Sequence, residues 1–236
     1  MKASRGKREP KKRFFPARSF RRRIGDVHDK LKRQSINKES RNVLFKFYSA
    51  FLLSLLNILE NNCVMQNKVV LAFLDDVYED LELWYPKLRL EEAGYALKCA
   101  APEIRTYAGK HGYPATADLL LQDARSEDFC GLLVPGGFMP DKLRRDPKVL
   151  SLTREFFAQG KLVAFICHGG WIPISAKILS GKRVTGSLGI KDDLENAGGI
   201  WVDEPVVEDG NLISSRTPKD CAPFAAAMVK FLNEAK

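Results

Sequence analysis

The segment with the clearest chemistry is Lys161–Ala176, KLVAFICHGGWIPISA. An unbroken apolar run, Leu162–Ile166, leads straight into Cys167, His168, Gly169 and Gly170, and a helical pattern follows. Such a run reads as a strand buried on both faces. In an open parallel sheet, ligands bind beyond the carboxyl ends of the strands. A sharp strand-to-helix turn there holds the turning side chain out into the crevice, and the small residues after it let the backbone crowd into the turn. This is the logic of a nucleophile elbow, although the GxSxG pattern itself is absent. The amides opening the next helix are expected to lower the thiol pKa and to donate to an oxyanion as charge develops. Free cysteine is among the most buried residue types. The other four cysteines, Cys63, Cys99, Cys130 and Cys221, lack this context and are read as packing.

The elements around this turn alternate between strands and helices. Val69–Leu74, Ala96–Ala101 and Gly131–Val134 read as strands, the last ended by Pro135-Gly136-Gly137. Glu79–Ala93 reads as a helix with Leu81, Trp84 and Leu88 on its apolar face, stopped by Gly94. Pro147–Gln159 is a helix with Asp146 as its N-cap, and another helix is expected from about Gly170 to Leu179. Asp209-Gly210 between Val206–Glu208 and Leu212–Ser214 signals a hairpin. Thr217-Pro218-Lys219-Asp220 caps a last helix running to about Glu234. The expected fold is α/β, a three-layer sandwich with helices on both faces of a mostly parallel central sheet.

Charge divides the chain. The net +9 of its 236 residues resolves into +12 over residues 1–64 and −3 over residues 65–236. No nucleic-acid partner is therefore expected for residues 65–236. Residues 1–43, with KREPKKR and RSFRRR, are too polar to bury a core and are expected to be disordered. The apolar stretch 44–59 is short of the ~20 residues of a membrane span. An amphipathic or targeting helix is the lesser expectation for it, with membrane contact weaker still. The reading given more weight is that translation starts at Met65 and the extension has no role. The five cysteines are odd in number, widely spaced and without a CxxC pair. This argues against a disulfide framework or zinc site and for a reducing, cytoplasmic compartment. With only three histidines, no Walker A motif and no GxGxxG after the first strand, no metal or nucleotide cofactor is expected.

Several motifs in register carry a family resemblance: VYEDLELWYP, GKHGY, VPGG, AFICHGG, GIKDDLENAG and WVDEPVVEDGNLISSR. From about Lys68 to Phe231 the chain resembles PfpI-type intracellular proteases of the ThiJ/PfpI superfamily, whose fold is class-I glutamine amidotransferase-like, akin to flavodoxin. The resemblance implies Cys167 as nucleophile and His168 as its base. It implies Glu79 as a carboxyl beside the sulfur, which must be protonated so that it donates to the thiolate rather than repelling it. It implies Asp141 as the acid that orients His168 from a neighbouring subunit, although the family expectation is the longer Glu. The site would then be completed in a homo-oligomer. Gly136, Gly137 and Gly169 are implied as oxyanion and substrate-binding residues, the first two through their N–H groups together with that of His168. His111 reads as structural, and Asp76, Asp80 and Glu82 as helix-start acids. The leading expectation is a cysteine-dependent peptidase or amide hydrolase. The first alternative is a glutathione-independent glyoxalase or deglycase acting on methylglyoxal or glycated groups. The second is a non-catalytic redox sensor or chaperone. The substrate is accordingly a peptide or a small aldehyde.

Overall fold

The computed structural model describes residues 68–234. The expectations for residues 1–64, including the helix at 44–59 and the domain boundary at Met65, lie outside that range.

Seven strands form one sheet. In chain order they are β1 (Val69–Phe73), β2 (Ala96–Ala101), β5 (Leu119–Leu120), β6 (Gly131–Val134), β7 (Leu162–Ile166), β10 (Val206–Asp209) and β11 (Leu212–Ser215). Their spatial order is β10-β11-β7-β6-β1-β2-β5. Every pairing is parallel except that of β10 with β11, a hairpin turned by Gly210 at φ +64°. β6 and β7 are buried at every position, and β1 at all but Val69. That explains their unbroken apolar sequences, since central parallel strands have no wet face. Two small pairs sit apart from the sheet: β3 (Thr106–Ala108) with β4 (Pro114–Thr116), and β8 (Arg183–Val184) with β9 (Ile200–Trp201). These strands of two or three residues are too short to register as alternation in sequence.

The helices are α1 (Asp80–Glu92), α2 (Met139–Leu143), α3 (Pro147–Ala158), α4 (Trp171–Ala176), α5 (Lys191–Asn196) and α6 (Cys221–Glu234). α1 packs against α6, and α3 against α4, so the sheet is covered on both faces. The expected cap of α3 is present, with Asp146 accepting from Lys148 N–H at 2.7 Å. The cap expected at Thr217 differs. A 3₁₀ turn over Pro218–Asp220 precedes α6, and the Thr217 hydroxyl bonds Asp220 Oδ2 at 3.4 Å instead of a backbone amide. The helix after the elbow is also shorter than expected. A 3₁₀ turn spans Cys167–Gly170, and α4 ends at Ala176, capped by Lys177 in the left-handed region at φ +59°.

The buried face of α1 is not the expected one. Leu81 and Leu88 are 56% and 59% exposed, whereas Glu82, Leu83, Pro86 and Leu90 face inward. Positions 82, 86 and 90, with 83 beside them, form the inner stripe at helical spacing. Leu81, Tyr85 and Leu88 form an apolar stripe open to solvent. Among the described residues, no helix is long and apolar enough to cross a membrane.

Candidate active site

Parallel order brings the carboxyl ends of β1, β6 and β7 to one edge of the sheet, where the loops 74–79, 135–138 and 167–170 meet. β7 hands directly to Cys167, which takes φ +58°. A non-glycine residue is disfavoured there by about 1–2 kcal/mol, and the turn persists because its neighbours fix it. A Cβ added to Gly136 would lie 2.5 Å from Glu82 Oε2 and 2.9 Å from Cys167 Cβ. Glycine at 136 is therefore what lets the carboxyl and the elbow approach each other. A Cβ at Gly169 would stand 2.3 Å from the Val134 carbonyl oxygen, so this glycine lets the elbow pack onto β6.

The Cys167 sulfur lies 3.2 Å from His168 Nδ1. The Glu82 carboxyl, the His168 backbone N–H and the Ser187 hydroxyl lie near enough to shift its titration. Glu82 is wholly buried. Its Oε2 accepts from Gly136 N–H at 2.8 Å, and its Oε1 has no hydrogen-bond partner among the described residues. Burial, reinforced by the neighbouring Glu79, pushes the Glu82 carboxyl up to about 8, with the Gly136 N–H opposing. At neutral pH Glu82 is thus mostly the neutral acid. Protonation on Oε1 makes that atom a donor, with the sulfur as the acceptor at hand.

The thiol does not follow the expectation of a lowered pKa. Burial first, and then the charge of Glu82, push Cys167 up to about 12, while the His168 N–H and Ser187 act the other way. The repulsion from Glu82 operates only once that carboxyl has ionised. Below its midpoint the same group stabilises a thiolate by donating to it. A raised thiol is not special in itself, because burial also lifts Cys99, Cys130 and Cys221. What sets Cys167 apart is a base and an acid on the same sulfur. Burial and the charge of Lys110 lower the pKa of His168, so its ring is neutral at pH 7 and able to take the thiol proton. Trp171 holds that ring edge-on at a centroid distance of 5.1 Å.

Glu79 does not occupy the place expected of it. It is the N-cap of α1, and its Oε2 accepts from Glu82 N–H at 3.0 Å. The carboxyl against the sulfur is Glu82, three residues on. With the apolar face of α1 set on Leu81, Trp84 and Leu88, Glu82 fell on the polar side; the stripe 83, 86, 90 was the signal that would have found it. Glu79 still lines the cavity, with its Oε1 3.7 Å from His111 Nε2. Asp141 lies in α2 and pairs with Arg145, and no carboxylate of the described residues pairs with His168. The Gly136 N–H is taken by Glu82 and is not free for an oxyanion. Gly137, at φ +79°, lines the cavity, and its N–H has no acceptor among the described residues. Of the two expected glycine donors, Gly136 N–H is thus engaged and Gly137 N–H is not.

The cavity over these groups measures about 430 Å³ and opens to solvent. Val77, Phe138, Trp171 and Pro218 form its apolar rim, and Glu79, Lys110 and His111 its polar wall. Glu79, Asp80 and His111 bring potential metal-ligand atoms within 4.8 Å of one another. Both Asp80 oxygens, however, accept backbone N–H groups, from His111 and Tyr113 at 2.9 Å each. This set holds a loop in place and is poorly disposed to hold a cation.

Residues 67–231 match the DJ-1/PfpI family. The chain belongs to the DJ-1/PfpI family. A deglycase of Pyrococcus horikoshii is 45% identical over 163 residues, covering 69% of this chain and 98% of that protein. The deglycase PfpI of Pyrococcus furiosus is 43% identical over 155 residues, covering 66% and 93%. Among solved structures, a ThiJ/PfpI domain protein from Brachyspira murdochii superposes with a TM-score of 0.69 at 28% identity, covering 71% of this chain and 98% of that one. The resemblance read from the motifs and the α/β fold it implied both stand. With relatives of this kind, the DJ-1/PfpI chain described here is an enzyme.

Proposed function

We propose that this enzyme is a glutathione-independent deglycase or glyoxalase, acting on α-oxoaldehydes such as methylglyoxal or on the adducts they form. The observation that carries this reading is the neutral Glu82 acid against the Cys167 sulfur, with a neutral imidazole 3.2 Å away on the other side. His168 takes the thiol proton, and the sulfur adds to the aldehyde carbon. Glu82 donates to the sulfur while it is anionic. The N–H groups of Gly137 and His168 receive the oxygen as it gains charge, and His168 returns the proton to it. The names of the relatives support the same choice.

The peptidase reading keeps one supporting observation, the open rim of the cavity. Against it, no acid among the described residues orients His168, and one of the two expected glycine donors is occupied. We also propose that copies of the chain associate, with Asp141 of a neighbouring copy supplying that acid. The exposed stripe of Leu81, Tyr85 and Leu88 supports self-association; sedimentation as a monomer at micromolar concentration would count against it.

The test of function assays the purified chain side by side with methylglyoxal and with peptide-aminocoumarin substrates. Lactate production by the wild type and none by Cys167→Ala is the expected result. Peptide cleavage without aldehyde turnover would overturn the reading.

A further inference from the structure

We propose that Glu79 and His111 form a second proton-transfer pair, on the polar wall of the cavity, which moves the carbon-bound proton of the substrate. This rests on the aldehyde reading above. The starting point is that the reaction has two separate proton operations, and the groups at the sulfur serve only one. In the first, the Cys167 sulfur bonds to the aldehyde carbon, C1, and the thiol proton passes through His168 to the new hydroxyl. The product is a hemithioacetal. In the second, the C1–H bond breaks, its electron pair forms a C1–C2 double bond, and the C2 carbonyl oxygen takes a proton. C2 then accepts a proton while the C1 hydroxyl loses its own, which leaves a thioester beside a C2 alcohol. C1 is oxidised and C2 reduced, so no outside oxidant enters. Water then cleaves the thioester to a hydroxycarboxylate and restores the thiol.

The second operation needs a base near carbon that is not bound up with sulfur. His168 directs Nδ1 at the sulfur. Glu82 is wholly buried, with Oε2 held by Gly136 N–H. The remaining titratable side chains lining the cavity are Glu79, Lys110 and His111. Glu79 is 6% exposed, and its Oε2 is fixed on Glu82 N–H, which leaves Oε1 facing His111 Nε2 at 3.7 Å.

The loop carrying His111 is held from several directions. Asp80 accepts from the N–H groups of His111 and Tyr113, and Lys110 N–H donates to the Tyr78 carbonyl at 2.7 Å. Gly109 lies so close that a Cβ would be 2.4 Å from Asp80 Oδ1. The backbone is thus tightly placed under an imidazole that is itself 66% exposed. Helix capping alone needs the Glu79 oxygen and has no use for the histidine. A surface ion pair needs neither the anchored loop nor the cavity.

The experiment compares wild type, His111→Asn and Glu79→Gln with methylglyoxal carrying hydrogen or deuterium at C1. Gln at 79 keeps a side-chain oxygen for the cap, and the exposed His111 can change without disturbing the core. We expect kcat to fall about 10²- to 10⁴-fold in either variant, with KM little changed. Capture of methylglyoxal by the Cys167 thiol should persist, and the deuterium isotope effect on kcat should rise as C1–H cleavage becomes limiting. Wild-type turnover with His111→Asn within about threefold of it and an unchanged isotope effect would overturn the pair alone. A wild type that forms no lactate would overturn the aldehyde reading and the pair with it.

Discussion

Glu82→Gln tests the charge arrangement at the site most directly. Folding lifts this carboxyl from 4.5 to about 8, with burial the largest cause. The folded chain therefore binds the proton more tightly than the unfolded chain does. The resulting stabilisation is complete below pH 4.5 and is lost as pH rises through about 8. At ~1.4 kcal/mol per pH unit the whole interval corresponds to about 5 kcal/mol, of which about 3 kcal/mol has gone by pH 7. Glu82 is wholly buried, so solvent screening removes little of this. A domain is stable by only about 5–15 kcal/mol, which makes the effect large. Gln has the same shape. Its oxygen can accept from Gly136 N–H and its NH₂ can donate to the sulfur, but it has no proton to lose. Urea unfolding of both proteins from about pH 5 to about pH 9 gives the comparison. The wild type should lose stability across that range relative to the variant, and the variant should be the more stable one at the alkaline end. Iodoacetamide alkylation of Cys167 should also begin at lower pH in the variant, because the negative neighbour is gone. Stability curves that run parallel would refute the account, since they would mean that Glu82 releases its proton in the folded chain no later than in the unfolded one.

Cys167→Ala should remove all aldehyde turnover while leaving the circular dichroism spectrum and the urea midpoint close to wild type. Gly136→Ala should cost about 1–3 kcal/mol and most of the activity, because its methyl group would enter the space between Glu82 and Cys167; unfolding and turnover measured on one preparation check both. Asp80→Ala should leave the N–H groups of His111 and Tyr113 without their acceptor. A stability loss of about 1–3 kcal/mol and faster hydrogen exchange at those two amides would show it.

The sheet and the elbow were legible because parallel central strands are apolar throughout and β7 runs straight into Cys167. The Asp146 cap before Pro147 and the Asp209-Gly210 hairpin were legible because each rests on a strong local rule. The identity of the acid was not. Choosing between Glu79 and Glu82 depends on which face of α1 turns inward, and that helix carries leucines on both. Glu79 and Glu82 stand three residues apart at the start of that helix, one a capping oxygen and the other the buried acid. The direction of the thiol shift was equally hidden, because it depends on how deeply the elbow sits and on whether a carboxyl beside it is charged. The anchoring of His111 arises from β3, β4 and the loop between them, strands too short to read in advance.

The left-handed backbone at Cys167 has a consequence for how this chain would change if its chemistry were no longer needed. Glycine adopts φ +58° without steric penalty. A Cys167→Gly chain would shed that torsional burden and, apart from the lost sulfur contacts, lose little in folding. Heat resistance alone therefore gives no reason to keep a side chain at this corner. A mutational drift judged only by folding would replace it, and the thiol stands there against the preference of the main chain.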